Sequence, residues 1–128
     1  QMCIRDRVTA DATFRGGCIS PGMKTRFRAL HDYTAKLPLC AATESEELAG
    51  LTTRQAIELG VMNGIAFEIE GYAARMRSQI DDLCVIFTGG DANFFVKRIK
   101  NTIFANCNLV FCGLNRILEY NASEEHLN

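Results

Sequence analysis

Two short stretches of this chain place groups where a ligand could reach them. In Gly50-x-x-Thr53 the threonine lies at the predicted start of a long helix, where its hydroxyl can donate or accept a hydrogen bond to a polar substrate. The alternative is that Thr53 only fills the first turn beside Thr52, a good helix-capping residue. The second stretch, Gly89-Gly90, follows an apolar run. Glycines there let the backbone approach another group closely, or simply form a turn.

The cysteines do not indicate a metal site. The chain has six cysteines: Cys3, Cys18, Cys40, Cys84, Cys107 and Cys112. No Cys-x-x-Cys pair occurs and both histidines lie far from any cysteine pair, so we do not expect bound zinc. Cys84 and Cys112 adjoin apolar runs, which predicts that they are small buried hydrophobes. No secretory signal is visible, so reduced thiols in the cytoplasm are expected.

Length and charge narrow the class of protein. The chain has 128 residues, 48% hydrophobic and 23% charged, with a net charge of −1. Such a chain can bury a real core as one small domain. A balanced charge leaves no basic surface for nucleic acid and no polybasic patch for a membrane. The acidic residues Glu44, Glu46 and Glu47 are expected in a solvated loop, because clustered like charges avoid burial.

Periodicity predicts alternating strands and helices. Two strands are expected within 8–19, around a turn at 10–13, and Ser20-Pro21 would then cap a helix over 22–33. A loop over 39–51 leads to the longest helix, 52–80, where Thr52 and Gln55 fit a capping box. The remaining elements are listed by range: buried strands at 83–87 and 109–111, and helices at 91–100 and 113–120. This order predicts an α/β fold with parallel strands.

Small residues form one stripe along the long helix. Ala56, Gly60 and Gly64 recur every four residues, and each glycine costs a helix about 1 kcal/mol relative to alanine. Something is therefore expected to pack very close to this stripe. Two partners fit the pattern: a sheet within the same chain, or a second helix across a dimer interface.

The order of several motifs resembles one enzyme family. The motifs are Gly16-Gly17-Cys18-Ile19-Ser20-Pro21-Gly22, Thr34-Ala35-Lys36-Leu37-Pro38, Gly50-Leu51-Thr52-Thr53-Arg54-Gln55-Ala56-Ile57, Gly60-Val61-Met62-Asn63-Gly64, Ile69-Glu70-Gly71 and Phe87-Thr88-Gly89-Gly90-Asp91. Over 8–118 this series resembles the C-terminal half of type III pantothenate kinases. The resemblance implies a ribonuclease-H-like subdomain of the actin, sugar-kinase and heat-shock-ATPase superfamily, here incomplete at its N-terminus.

The resemblance also implies an activity. Members of the family transfer the γ-phosphate of ATP to pantothenate, which is the first step of coenzyme A synthesis. They are cytoplasmic homodimers that use magnesium with ATP, and a monovalent cation, potassium or ammonium. The cation ligands are expected mostly outside these residues.

Site residues follow from the same resemblance. Thr53 matches the threonine that binds pantothenate across the dimer interface, and Thr34 lines the same pocket or only shapes the turn before Pro38. Gly89 and Gly90 match the glycine pair on the adenosine side of the nucleotide. No catalytic or metal-binding residue is expected, because the family's Asp-x-Gly-Asn-Thr, Gly-Ala-Asp-Arg and Asp-x-Gly-Thr motifs do not occur in this sequence.

The two ends of the chain look different from its middle. Residues 2–7 resemble a translated sequencing adapter, so 1–7 are expected to be a non-native leader, with the kinase subdomain over 8–120 and a polar tail over 121–128. Close relatives usually carry glycine in the hairpin turn where this chain has Ala12. The isolated chain is expected to be inactive and prone to aggregation, because the central first strand of such a sheet is missing. The rival hypotheses are a transcriptional accessory protein and a dimerisation module without a ligand.

Overall fold

The computed structural model describes residues 2–99 and 103–125. The chain divides into two compact units, Gln1–Ile69 and Glu70–Asn128, and each is described by itself. The architecture is mixed α/β, as the sequence predicts. Within the described part, no helix is both long and apolar enough to cross a lipid bilayer.

The first unit opens with an antiparallel hairpin. Strand β1 is Met2–Val8 and strand β2 is Phe14–Pro21, with Ile4 opposite Ile19. Two strands are confirmed, but β1 lies almost entirely N-terminal to the range predicted for it. Its residues alternate between exposed and half-buried, which is the period of a strand with one covered face. The non-native origin of 1–7 stays a prediction.

Helix α1, Met23–Asp32, follows the hairpin directly and buries Met23 and Phe27. The helix is confirmed, but the predicted cap at Ser20-Pro21 is wrong. Gly22 occupies the N-cap position without any side-chain cap hydrogen bond, because Pro21 is the last residue of β2 and pairs with Met2. The Ser20 hydroxyl donates elsewhere, to Glu68.

Helix α2, Thr53–Arg77, begins in the first unit and ends in the second. The capping box is confirmed. Thr52 Oγ1 accepts from the Gln55 amide at 3.2 Å, and Gln55 Oε1 accepts from the Thr52 amide at 3.2 Å. The helix ends three residues before the predicted Ile80. Its buried residues form the centre of the first unit, with Met62 and Ile65 the most completely covered.

The second unit has a strand–helix–strand–helix order. Strand β3, Val85–Phe87, pairs in parallel with β4, Ile103–Ala105, and between them lies α3, Ala92–Arg98. Helix α4, Leu109–Glu125, completes the unit. The presence of parallel strands and of α3 is confirmed, but the partner of β3 is β4 and not the predicted strand at 109–111. Lys100, the predicted end of α3, lies outside the described residues.

Three predictions for the second unit are wrong. Residues 109–111 are not a strand but the first turn of α4. The change of conformation occurs at Asn106, whose Oδ1 accepts from the Asn108 amide at 3.1 Å and whose carbonyl accepts from the Leu109 amide at 3.2 Å, a local turn that favours a helix start. Strand β3 is not buried, since Ile86 is half exposed. Cys84 and Cys112 are exposed thiols.

Candidate functional site

The start of α2 is a tightly built turn around Gly50. A methyl group at residue 50 would lie 2.5 Å from the backbone nitrogen of Ala56 and from atoms of Gln55, a separation that real side chains do not reach. Gln55 Oε1 also accepts from the Leu51 amide at 3.0 Å. The glycine of the Gly-x-x-Thr motif is therefore required for close backbone contact, and residues 50–55 form one fixed unit.

Thr53 is the first residue of α2 and is exposed. The first intrahelical bond runs from the Ala56 amide to the Thr52 carbonyl at 2.8 Å, so the amide of Thr53 precedes the helical ladder. Among the residues that the structure describes, no hydrogen bond engages the Thr53 hydroxyl, whereas the Thr52 hydroxyl is used by the cap. A free hydroxyl beside helix N-terminal amides is suited to a polar or anionic group.

Thr34 lies just past the end of α1 and is also exposed. Its hydroxyl donates to the Leu30 carbonyl, which satisfies one of the acceptors that a helix leaves open at its C-terminus. Its remaining lone pairs can only accept. The structure thus gives Thr34 a role in the turn, and its predicted role in a pocket stays a prediction.

Gly89 and Gly90 follow β3, as predicted. Gly89 has φ +92°, a left-handed conformation that favours glycine. A Cβ at either residue would meet nothing within 4 Å, so the backbone is open to an approaching group. Their predicted contact with a nucleotide stays a prediction. Thr53 and this glycine pair belong to different units.

The small-residue stripe of α2 is open in this chain. Gly60 is exposed and a Cβ there would meet nothing within 4 Å, while at Gly64 the nearest atom is a guanidinium nitrogen of Arg26 at 3.8 Å. Close packing of a sheet against the stripe is therefore not observed among the described residues. A helix of a second chain remains the alternative.

A charged cluster around Glu68 was not predicted from the sequence. Glu68 Oε1 lies 2.6 Å from the Arg5 guanidinium and accepts from Ser20 Oγ at 2.6 Å, while Oε2 pairs with Arg26. Burial alone would raise the pKa of Glu68, but the hydrogen bonds from Arg26 and Ser20 and the two positive charges together lower it. The alternation of β1, which turns Arg5 toward the covered face, was the signal that could have indicated this cluster.

The cluster joins β1, β2, α1 and α2 within the first unit. Arg26 Nε also donates to the Pro21 carbonyl at 2.7 Å, and Arg5 donates to Ser20 Oγ at 2.9 Å. The side chains of the three charged residues are mostly covered, where charge-assisted hydrogen bonds are strong. The cluster therefore holds the hairpin of β1 and β2 against α1 and α2.

The described residues also bear on metal ligation by histidine, cysteine and carboxylate side chains. Within 2–99 and 103–125, no three residues of the histidine, cysteine, aspartate and glutamate types are grouped to hold a metal ion.

Comparison with known families shows which protein family the chain belongs to. A family model described as type III pantothenate kinase matches residues 3–75, more than half of the sequence. The chain belongs to the type III pantothenate kinase family. The match includes Thr34 and Thr53 and begins within the range expected to be a leader.

Type III pantothenate kinases of several bacteria resemble the chain over most of its length. The Flavobacterium psychrophilum enzyme is 48% identical over 115 residues, 90% of this chain and 48% of the relative. The Cytophaga hutchinsonii enzyme is 46% identical over 114 residues, 89% and 48% respectively. The Christiangramia forsetii enzyme is 43% identical over 123 residues, 95% and 51% respectively. The chain thus spans about half the length of these curated relatives.

A solved structure shares the fold. It is that of a Campylobacter jejuni protein assigned to the Baf family of transcriptional activators, with a TM-score of 0.66 and 20% identity. The match covers 95% of this chain and 55% of the other. At this level of identity the likeness extends to the fold alone.

Proposed function

We propose that this chain forms the pantothenate-binding part of an enzyme that transfers the γ-phosphate of ATP to pantothenate, the first step of coenzyme A synthesis. The observation that carries the proposal is the Thr53 hydroxyl, exposed at the start of α2 and engaged by no hydrogen bond among the described residues. Gly50 and Gln55 fix the backbone on either side of it. Membership of the family supports the choice of substrate.

Thr53 acts by holding the acceptor. Its hydroxyl binds a polar group of pantothenate, and a fixed acceptor supplies much of the acceleration in a phosphoryl transfer. Thr34 is the weaker candidate for the same pocket, because its hydroxyl proton is engaged by Leu30. The family motif that carries the proton-accepting aspartate does not occur in these 128 residues, so no catalytic residue is assigned.

Gly89 and Gly90 are the proposed contact with ATP. Their open backbone after β3 suits the adenosine side of the nucleotide, since ligands of α/β sheets favour the carboxyl ends of strands. Magnesium bound with ATP supplies charge neutralisation at the phosphates, and a monovalent cation completes the set that the family uses. The ligands of both cations are proposed to lie mostly outside these residues.

The fold and assembly of the whole enzyme are part of the proposal. The strand–helix–strand unit fits a ribonuclease-H-like subdomain of the actin and sugar-kinase superfamily. The open stripe at Gly60 supports a homodimer in which α2 meets a second helix, because small residues allow close approach of helices. The pantothenate pocket would then be completed by the second chain.

Activity of a hybrid enzyme tests the proposal. The 115 matched residues of the Flavobacterium psychrophilum enzyme are replaced by the aligned residues of this chain, to give the hybrid enzyme. We expect the hybrid enzyme to phosphorylate pantothenate and the 128-residue chain alone to show no turnover. A folded hybrid without turnover would contradict the kinase proposal, and turnover by the chain alone would contradict the assignment of the catalytic aspartate elsewhere. Binding of duplex DNA instead would favour the transcriptional hypothesis.

A further inference from the structure

The segment that precedes Thr53 holds its position although its side chains are exposed. We call residues 47–52 the strap. It belongs to a stretch without helix or strand between Asp32 and Thr53. Leu48 is 78% exposed and Leu51 is 98% exposed, so apolar contacts do not fix it. Polar anchors must therefore hold the strap in place.

The anchor at the N-terminal end of the strap is Asn63, a residue of α2. This side chain is buried, at 9% exposure, and its Nδ2 donates to the main-chain carbonyl of Glu47 at 2.8 Å. Asn63 stands between Met62 and Ile65, the most completely covered side chains of the chain's described part. A buried amide among apolar side chains is costly unless it is hydrogen-bonded, so its orientation is defined.

At the C-terminal end of the strap, Gln55 Oε1 in the first turn of α2 accepts from the amides of Leu51 and Thr52 at 3.0 and 3.2 Å. Gly50 packs against the same turn. Asn63 lies ten residues after Thr53, which corresponds to about 15 Å along the helix axis. The strap therefore runs back along α2 from the level of Asn63 to the helix start. A segment tied at both ends has few alternative conformations, and the position of Thr53 depends on both ties.

We propose that Asn63 is a positioning residue for Thr53. It does not reach the substrate; its amide fixes the strap, and the strap fixes the turn that presents the Thr53 hydroxyl. This inference rests on the proposed function for the role of Thr53. It explains the asparagine of Gly60-Val61-Met62-Asn63-Gly64, for which the pocket and the stripe provide no use.

Hydrogen exchange in the full chain tests the tie itself. Asn63→Leu removes the donor at similar size, and Asn63→Asp replaces it with an acceptor that faces a carbonyl. We expect amides of the strap to exchange about tenfold faster in both variants, the effect of losing one buried hydrogen bond, while amides of β1 and β2 keep their rates. Unchanged strap exchange, or equal acceleration throughout the first unit, would overturn the proposal.

Two controls make this comparison specific. Glu47→Ala removes an exposed side chain but keeps the main-chain acceptor, so strap exchange should not change. Asn121→Asp introduces the same charge change as Asn63→Asp at an exposed residue of α4 and should also leave the strap unchanged. Acceleration in either control would contradict a tie made by the Asn63 amide.

Kinetics of the hybrid enzyme test the consequence for Thr53. We expect Asn63→Leu to raise KM for pantothenate about tenfold and leave KM for ATP unchanged, whereas a general loss of structure would alter both. Looser strap exchange with unchanged KM for pantothenate would overturn the positioning role. If Thr53→Val also leaves that KM unchanged, the proposed function fails at Thr53 independently of the measured tie.

Discussion

At the scale of single residues, position rather than residue type separates the threonines of this chain. Thr52 caps α2 and Thr34 closes the end of α1 through Leu30. Thr53 has the same hydroxyl but no such structural use among the described residues. A side chain that is exposed, fixed in place and structurally unused is the best candidate for a ligand contact.

Ala12 provides a test at the hairpin turn. Its φ is +61°, a left-handed conformation that costs an alanine roughly 1–2 kcal/mol. We expect Ala12→Gly to raise the free energy of unfolding by about 1 kcal/mol, measured by urea denaturation. Ala10→Gly is the matched control, because Ala12 is the one non-glycine residue with positive φ in the part described. An equal gain in both variants would contradict the strain.

Glu68 makes a prediction about pH. Its pKa is lowered below 4.5 in the folded chain, so its contribution to stability is complete above the unfolded pKa and is lost as the pH falls through the folded pKa. We expect Glu68→Gln to lower the free energy of unfolding by about 2 kcal/mol at pH 7. The variant should also lose less stability than the wild type when the pH falls below 4.5.

The control for this measurement is Glu70→Gln, two residues away on the same helix. Arg5, Ser20 and Arg26 face Glu68 and not Glu70 in the described contacts. Glu70→Gln should therefore keep the wild-type profile. Parallel pH profiles for wild type and Glu68→Gln would contradict a pH-dependent contribution of the Glu68 carboxylate to stability.

At the scale of elements, two glycines near α2 have opposite roles. Gly50→Ala places a methyl group against the backbone of Gln55 and Ala56 and is expected to destabilise the chain by about 1–3 kcal/mol. Gly60→Ala enters open space on the helix and is expected to stabilise it by about 1 kcal/mol. Urea denaturation followed by far-ultraviolet circular dichroism compares them. A similar effect of both substitutions would contradict the contact at Gly50.

The helices and strands also show which features of the fold could be predicted from the sequence. Apolar spacing predicts α1, and the Thr52–Gln55 pairing predicts the start of α2, because both depend on residues close in sequence. The prediction of a strand at 109–111 was wrong because an apolar run occurs in strands and in helices alike. The turn at Asn106 starts a helix there. The Glu68 cluster was not predicted, because it joins residues 63 positions apart.

At the scale of the whole molecule, large apolar surfaces are open. In the hairpin, Ile4 and Ile19 face each other and are both more than half exposed, and α4 exposes a row that includes Leu114, Ile117 and Leu118. Contiguous apolar surface of this kind promotes association. These surfaces agree with the expectation that the isolated chain is prone to aggregate.

Self-association of the purified chain tests this expectation. Light scattering across a concentration series should show a mass that increases with concentration. Ile117→Lys should reduce this increase, because it places a charge in the exposed row of α4, whereas Asn121→Lys in the same helix should not. A monomer at all concentrations would contradict the expectation.

The central claim is that Thr53 holds pantothenate, and steady-state kinetics of the hybrid enzyme test it most directly. We expect Thr53→Val to raise KM for pantothenate about tenfold, the effect of one lost hydrogen bond, with KM for ATP unchanged. Thr53→Ser, which keeps the hydroxyl, should stay close to the wild type. An unchanged KM for pantothenate in Thr53→Val would contradict the claim and favour a module that only dimerises.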